Sequence, residues 1–309
     1  MNTLLLIDGN ALMHRAYHAI PPFKTKDGTP TNVIYGFFTI LNKAVVDFKP
    51  THLIVCFDVA APTFRKKMFK EYKAQRKKLE DNFIVQIPFV KEGLNEAKII
   101  YSEKPGFEAD DVIGTLGRHF SPHLDKILIL SGDKDILQLV DKNIFVITPH
   151  IGFAKTIVYD KKQVINRFGV TPKQMADFKA LAGDQSDNYP GAKGIGPKTA
   201  THLINQFKTI ENLLRNINKV KSEKVKQAVT DSKEDILMAK KLSEIDKNVD
   251  VKIKLDETKF GQFPLSFKDF LLKFEMYSLA NRFFKTKKQT MGIKTPVKKS
   301  KPDPQMGLF

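Results

Sequence analysis

The sequence predicts an α/β fold, with a mostly parallel sheet in the first half of the chain and helices in the second. The first half contains short apolar runs separated by longer helical patterns. These runs lie at 4–7, 53–57, 127–130 and 144–147. Short, continuously apolar runs are typical of strands covered on both faces, as in parallel sheets. Beyond about residue 170 the strand pattern fades, although we still expect a short extended piece at 249–255.

The first of these runs lies near the N-terminus and is closed at once by Asp8. It is too short to be the apolar core of a signal peptide. No segment of the chain approaches 18 uninterrupted apolar residues, so we expect no membrane span.

We expect three segments: a sheet domain over residues 1–170, a helical subdomain over 171–284 and a flexible tail over 285–309. The pair Thr171-Pro172 is typical of a helix start, because proline is favoured at the first helical position. The tail holds seven Lys, three Pro and one Asp with little periodicity, which is typical of an unfolded segment.

The chain is strongly basic. It has 51 Lys and Arg against 34 Asp and Glu, a formal charge of +17 over 309 residues. Such a charge indicates a polyanionic partner, usually nucleic acid, although ribosome-associated and membrane-surface proteins are basic too. The single cysteine, Cys56, excludes an internal disulfide framework and fits a reducing cytoplasm.

Acidic residues cluster where the predicted strands end. Asp8 closes the first run, Asp58 the second, and Asp133 follows the third after a Ser-Gly pair. Ligands of parallel sheets bind beyond the carboxyl ends of the strands. Nine carboxylates in five short segments qualify: Asp8, Asp58, Glu108, Asp110, Asp111, Asp133, Asp135, Asp184 and Asp187.

Each of these carboxylates has a simpler interpretation as a turn former or helix cap. Together, they would repel one another unless cations neutralise them. Mg²⁺ and Mn²⁺ prefer oxygen ligands of this kind, and two such ions about 4 Å apart can activate water and stabilise the leaving oxygen of a phosphodiester. The seven histidines form no zinc-like pair with cysteine, and neither a Rossmann fingerprint nor a Walker loop occurs.

Seven stretches around these acids resemble the 5′-nuclease family. They are 6–10 (LIDGN), 15–18 (RAYH), 56–58 (CFD), 62–65 (PTFR), 106–111 (GFEADD), 132–135 (GDKD) and 183–191 (GDQSDNYPG). The pattern is most similar to the 5′→3′ exonuclease domain at the N-terminus of bacterial DNA polymerase I, and flap endonucleases are more distant. The resemblance covers about residues 1–285. Phe107 departs from it, since Tyr is common there.

The resemblance implies a PIN-like nuclease core and a free-standing, monomeric, cytoplasmic enzyme of DNA replication and repair. It implies phosphodiester hydrolysis at 5′ flaps, nicks, gaps and RNA primers on DNA, leaving a 5′-phosphate. Two or more Mg²⁺ ions, with Mn²⁺ as a substitute, would be held in two sites. Asp8, Asp58, Glu108, Asp110 and Asp111 would mainly serve one, and Asp133, Asp135, Asp184 and Asp187 the other. Two alternatives remain, an inactive DNA-structure-binding adaptor and a related ribonuclease.

A basic segment follows Asp58. Eight basic residues lie between positions 64 and 78, opposed only by Glu71, and aromatic residues alternate with them. The simple interpretation is a solvated helix. By resemblance, residues 62–92 form the family's arch over the 5′ strand, in which Lys73 and Arg76 steady the scissile phosphate. We expect DNA contacts from Arg65, Lys66, Lys70 and Tyr72.

A second candidate DNA contact is the glycine-rich stretch 191–200 (GAKGIGPKTA). A Gly-x-Gly turn before a helix exposes backbone N–H groups to a phosphate, although an ordinary loop is the alternative. The stretch resembles the hairpin of helix–hairpin–helix proteins, which implies duplex binding with K⁺. The residues expected to contribute are Lys193, Gly194, Ile195, Gly196 and Lys198.

The last five residues, 305–309 (QMGLF), resemble the motif by which bacterial replication proteins bind the sliding clamp. Gln305, Leu308 and Phe309 would make the contacts. Met306 replaces the commoner Leu, an exchange of similar volume. A chance match is the alternative.

Overall fold

The computed structural model describes residues 1–150 and 155–284. Its strands are β1 (Thr3–Asp8), β2 (His52–Phe57), β3 (Ile100–Glu103), β4 (Lys126–Leu130), β5 (Ile144–His150) and β6 (Lys155–Tyr159). The helices of the first half are α1 (Gly9–Ala19), α2 (Asn32–Phe48), α3 (Phe64–Met68), α4 (Asp81–Ile84), α5 (Ile87–Glu96), α6 (Ala109–Phe120) and α7 (Lys161–Phe168). The second half contains α8 (Met175–Ala182), α9 (Pro197–Phe207), α10 (Ile210–Arg215), α11 (Glu223–Asp231), α12 (Lys233–Ser243), α13 (Leu265–Lys273) and α14 (Tyr277–Phe284).

The six strands form one sheet in the order β3-β2-β1-β4-β5-β6. Every neighbouring pair is parallel except β5 and β6, which are antiparallel. The mostly parallel sheet and the four predicted strands are confirmed. Strands β3 and β6 were not predicted, and the extended piece expected at 249–255 is wrong, because that segment is coil ending in a 3-10 turn.

The sheet has an apolar core on each face, because successive side chains of a strand point in opposite directions. In β1, Leu4 and Leu6 enter a first core together with α6. Leu5 and Ile7 enter a second core together with α1 and α2. All four side chains are fully buried, which explains why β1 reads as a continuous apolar run.

The helical half does not pack as one unit. Helices α8 to α12 extend the first core. Helices α13 and α14 join the second core instead, where α13 contacts α5 and α14 contacts α2. The helices of residues 171–284 therefore pack on both faces of the sheet, α8 to α12 in the first core and α13 and α14 in the second. Thr171 does start a helical segment, with Pro172 in the first turn and a capping box formed with Gln174.

The segment predicted as an arch is not a long helix. It contains the short helices α3 and α4 joined by turns, followed by α5. Its far end is anchored on α1, where Tyr17 Oη donates to Glu80 Oε2 at 2.6 Å and the ring of Phe83 stacks on His14. The buried Gln86 accepts from the amide of Val33 at 2.8 Å, at the start of α2. Polar and aromatic contacts therefore attach the C-terminal part of the segment to α1 and α2.

In the part of the chain that the structure describes, no helix is both long and apolar enough to cross a membrane.

Candidate active site

Three of the predicted acids lie where adjacent parallel strands end, at one edge of the sheet. Asp8 ends β1, and its two oxygens accept hydrogen bonds from the amide of Ala11 at 2.9 Å and from Ser131 Oγ at 2.7 Å. Asp58 follows β2 and accepts from the amide of Ala109 at 2.7 Å, at the start of α6. Asp133 follows β4, and its amide donates to Ser131 Oγ at 3.0 Å. Ser131 and the start of α6 thus join the three strand ends into one site.

Helix α6 brings further carboxylates to this edge, because its N-terminus lies against Asp58. Burial raises the pKa of Asp110 well above its ordinary value, and the negative charges of Asp133 and Asp8 raise it further. Burial also raises the pKa of Asp8 to about 7, with contributions from Asp58 and Asp133. Asp8 therefore lies within electrostatic reach of Asp58, Asp110 and Asp133, and Asp110 lies within reach of Asp133 as well. We call these four residues the acidic cluster.

The carboxylates of the acidic cluster destabilise one another's charge, and carboxylate oxygens are the ligands that hard divalent cations prefer. As the side chains stand, no three His, Cys, Asp or Glu residues within 1–150 and 155–284 are grouped closely enough to hold an ion. The carboxylates that surround the cluster are instead paired with basic side chains of the protein.

A second group of acids lies in the turn after α8. Lys179, in the last turn of α8, donates to both Asp135 and Asp184. Asp184 also accepts from the amide of Ser186 at 2.7 Å and from that of Asp187 at 3.3 Å. Burial would raise the pKa of Asp184, but Lys179 and the hydrogen bonds from Ser186 outweigh burial and lower it. Lys179 was not among the residues predicted from the sequence, although its position five residues before Asp184 places it at the same helix end.

The two basic residues expected to act on the phosphate lie beside both groups of acids. Lys73 Nζ lies 2.9 Å from Glu108 Oε2 and 3.8 Å from Asp187 Oδ2. Arg76 Nη2 lies 2.7 Å from Asp187 Oδ1. Lys73 has a φ of 54°, and its amide donates to the carbonyl of Asp187 at 2.9 Å. The turn around Lys73 is thus pinned to the loop that carries Asp187.

Tyr72, Arg65 and Asp111 have structural contacts that differ from those predicted. Tyr72 is only 3% exposed, and its hydroxyl bonds Asp187 Oδ2 at 3.0 Å, so its ring presents no open face to a base. Arg65 is 2% exposed and makes two parallel hydrogen bonds to the fully buried Asp111, at 2.7 and 2.8 Å. Because each side chain satisfies the other, Arg65 presents no free group to DNA and Asp111 presents none to a metal ion in this structure.

Two further lysines predicted to contact DNA have different surroundings. Lys66 Nζ donates to the carbonyl of Tyr72 at 3.1 Å and to that of Lys70, so it closes the local turn. The side chain of Lys70 is exposed. Lys70 therefore keeps the accessibility that a phosphate contact requires.

The predicted hairpin lies between α8 and α9. Ala192 and Ile195 are buried, whereas Gly194 and Gly196 are exposed. Gly194 has a φ of 82°, a conformation that favours glycine, and nothing lies within 4 Å of the position that a Cβ would take at either glycine. The side chains of Lys193 and Lys198 are also exposed. The hairpin thus offers open backbone and two cations on one surface.

The hairpin is also packed closely against the turn that carries the second group of acids. A Cβ on Gly191 would lie 2.3 Å from the amide nitrogen of Gly183, which immediately precedes Asp184. Only a glycine fits this approach.

The clamp-like residues Gln305, Leu308 and Phe309 lie outside the described part of the chain.

Comparison with known proteins identifies the family of the chain. A sequence model described as the N-terminal resolvase-like domain of 5'-3' exonucleases matches residues 3–169. A second, described as their C-terminal SAM fold, matches residues 170–265. The 5'-3' exonuclease of Aquifex aeolicus is 40% identical over 280 residues, which are 90% of this chain and 94% of that protein.

Other relatives are longer, or are similar in fold alone. DNA polymerase I of Bacillus caldotenax is 38% identical over 254 residues, 82% of this chain but only 29% of the polymerase. The flap endonuclease of bacteriophage T5, solved with DNA and metal ions, superposes with a TM-score of 0.66 at 20% identity, over 91% of this chain and all of that one. From the two domain matches and the 40% identity, the chain belongs to the 5'-3' exonuclease family and is a phosphodiester-hydrolysing enzyme.

Proposed function

We propose that this enzyme cuts DNA near 5′ ends, at flaps, nicks, gaps and RNA–DNA primer junctions, with two Mg²⁺ ions held by its carboxylates. The observation that carries the proposal is the acidic cluster at the carboxyl edge of the sheet, where burial and then neighbouring acids raise the pKa values of Asp8 and Asp110. Buried carboxylates this close to one another destabilise the folded protein when they are ionised, unless cations bind there.

The acidic cluster and Glu108 are the ligands that we propose for one ion. Asp135, Asp184 and Asp187 are those for the other. Mn²⁺ would fit the same oxygen donors. When bound, such ions lower the pKa of water and stabilise the departing oxygen of a phosphodiester. That the T5 flap endonuclease was solved with metal ions and DNA supports both the cofactor and the substrate class.

Lys73 and Arg76 are proposed to hold the scissile phosphate. Each now pairs with Glu108 or Asp187, which are proposed metal ligands. Metal binding would engage those carboxylates and leave the two cations facing the negative phosphate oxygens. There they would stabilise the charge that develops in the transition state. The product would carry a 5′-phosphate and leave a 3′-hydroxyl.

The hairpin is proposed to hold the duplex through its phosphate backbone. Exposed Gly194 and Gly196 allow close approach of a strand, and Lys193 and Lys198 supply charge. A K⁺ ion at the turn would follow from the family resemblance. Because no base edge is read, binding should be independent of sequence. An inactive adaptor would not need the full acidic set, and a ribonuclease would not need this hairpin.

Three further proposals rest on the sequence: a monomeric state, a location in the cytoplasm and binding to the sliding clamp. The enzyme would act as a monomer in the cytoplasm, where its one cysteine stays reduced. Residues 305–309 would bind the sliding clamp, which would raise the local concentration of the enzyme at nicks. A labelled peptide of 305–309, titrated with the clamp, tests this, with Leu308→Ala plus Phe309→Ala as the control. Equal binding by both peptides would refute it.

One assay tests the main proposal. A duplex with a labelled 5′ flap is incubated with the enzyme and Mg²⁺, with and without EDTA, and product lengths are read. We expect cleavage near the flap junction with Mg²⁺ only, and almost none from Asp133→Asn or Asp187→Asn. Undiminished cleavage in EDTA would refute the metal mechanism.

A further inference from the structure

The segment 242–246, at the end of α12, is bound by side chains of the sheet domain. Arg65 donates from Nε to the carbonyl of Leu242 at 2.8 Å and from Nη2 to that of Glu244 at 2.7 Å. Asp111, already paired with Arg65, accepts from the amide of Asp246 at 2.8 Å. The buried ion pair therefore holds the end of a helix that lies more than 100 residues away in sequence.

A third side chain completes this attachment. Gln138 Nε2 donates to the carbonyl of Ser243 at 3.0 Å, and its Oε1 accepts from the amide of Ile245 at 3.0 Å. Each of the five backbone positions 242–246 is thus hydrogen-bonded, through its carbonyl or amide group, to the side chain of Arg65, Asp111 or Gln138. We call these three residues the joint. Buried backbone groups at a helix end need such partners, so each bond resists displacement of the helix.

The other end of α12 meets the hairpin. Ser232, directly before α12, is buried and accepts from the amide of Lys193 at 3.0 Å. The helix between these ends has 11 residues, a length of about 16 Å at the usual rise. One helix therefore links the proposed duplex contact to the joint.

The joint is in turn tied to the active site. Asp111 accepts from the amide of Glu108 at 3.0 Å, and Arg65 Nη1 lies 3.7 Å from Glu108 Oε2. Glu108 pairs with Lys73, the proposed phosphate contact. The joint therefore connects α12, and through it the hairpin, to Glu108 and Lys73.

We infer that the joint and α12 set the position of the cut, by fixing the distance between the duplex held at the hairpin and the carboxylates. Successive phosphates of one strand are about 3.4 Å apart along the duplex axis. A helix free to shift by that distance would present a neighbouring phosphate instead. Arg65 is then a positioning residue that need not touch DNA. The inference rests on the proposed function, since it requires the hairpin to hold the duplex.

Arginine suits this role for a geometric reason. Its planar fork donates to Asp111 and to two carbonyls at once, whereas a lysine has a single ammonium that cannot span them. Arg65→Lys therefore keeps the charge and loosens the joint. It separates the loss of geometry from the loss of a cation.

The experiment compares product lengths from the full-length protein on one labelled 5′-flap duplex under single turnover with Mg²⁺. We expect the wild type to cut mainly at one position. Arg65→Lys should spread the cuts over neighbouring positions and slow the main cut by up to about 10²-fold. Ser232→Ala removes only one hydroxyl, at the opposite end of α12, and should also spread the cuts. This variant replaces Arg65→Lys in the experiment if Arg65→Lys does not fold.

The matched control is Leu279→Ala in α14, a fully buried residue of the second core away from α12. It should lower thermal stability without spreading the cuts. If all three variants keep the wild-type position, or if Leu279→Ala spreads the cuts as much as Arg65→Lys, the inference is wrong. A wild type that cuts no flap with Mg²⁺ would instead refute the proposed function.

Discussion

Lys73 Nζ lies 2.9 Å from Glu108 Oε2, so a residue proposed to contact substrate is paired with a residue proposed to bind metal. Glu108 caps the N-terminus of α6, and Lys73 lies in the turn after α3. The ion pair holds the two side chains together beside the proposed metal site. Binding of metal and substrate would exchange this pair for two new contacts.

Removal of Lys73 or Arg76 should slow cleavage far more than it weakens DNA binding. Both lie beside Asp187, at the proposed scissile phosphate, so their charge matters most in the transition state. For Lys73→Ala or Arg76→Ala we expect a single-turnover rate about 10²-fold lower or more. The dissociation constant for a flap duplex should change little. Variants that lose affinity but keep the rate would contradict this placement.

Lys198 should behave in the opposite way. It lies at the exposed start of α9, beside the hairpin. Loss of one phosphate contact should weaken duplex binding and reduce the slope of log affinity against log salt by about 1. The measurement is the dissociation constant of Lys198→Ala across a salt series, with Lys268→Ala in α13 as the control. An unchanged slope would place Lys198 away from the DNA.

Asp111→Ala should strongly destabilise the protein. The change leaves the buried Arg65 guanidinium without its carboxylate, and breaking a buried pair costs about 3–5 kcal/mol. Asp250→Ala is the matched control, because its ion pair with Lys104 is largely exposed and such pairs contribute about 0–1 kcal/mol. Urea unfolding measures both free energies. Similar losses in the two variants would show that Asp111 is not an essential partner of Arg65.

The sequence predicted the features whose burial is uniform. Strand β1 is buried at every position and reads as a strand, whereas β3 is partly exposed and only four residues long, so its pattern is weak. Asp8, Asp58 and Asp133 could be placed together because parallel strands end at one edge. Arg65 could not be distinguished from its seven basic neighbours, because only packing against Asp111 and α12 turns it inward.

The buried carboxylates of the acidic cluster should lower the free energy of unfolding at neutral pH when no metal ion is bound. Asp110 and Asp8 have folded-state pKa values raised by burial and by neighbouring acids, Asp8 to about 7. The folded protein therefore holds protons that the unfolded chain has released. Stability should fall as pH rises from about 4, the unfolded value for Asp, through the folded pKa.

Asp110→Asn removes one of these charges and should relieve the repulsion. In EDTA at pH 7.5, we expect its melting temperature to exceed that of the wild type by at least about 2 °C. At pH 5 the gain should shrink, because the cluster already holds protons in the wild type. Asp269→Asn, an exposed carboxylate of α13, should change neither melting temperature. Mg²⁺ should then stabilise the wild type more than Asp110→Asn at pH 7.5, since it binds only the folded state. A lower melting temperature for Asp110→Asn at pH 7.5 would mean that its carboxylate stabilises the fold and is not strained by its neighbours.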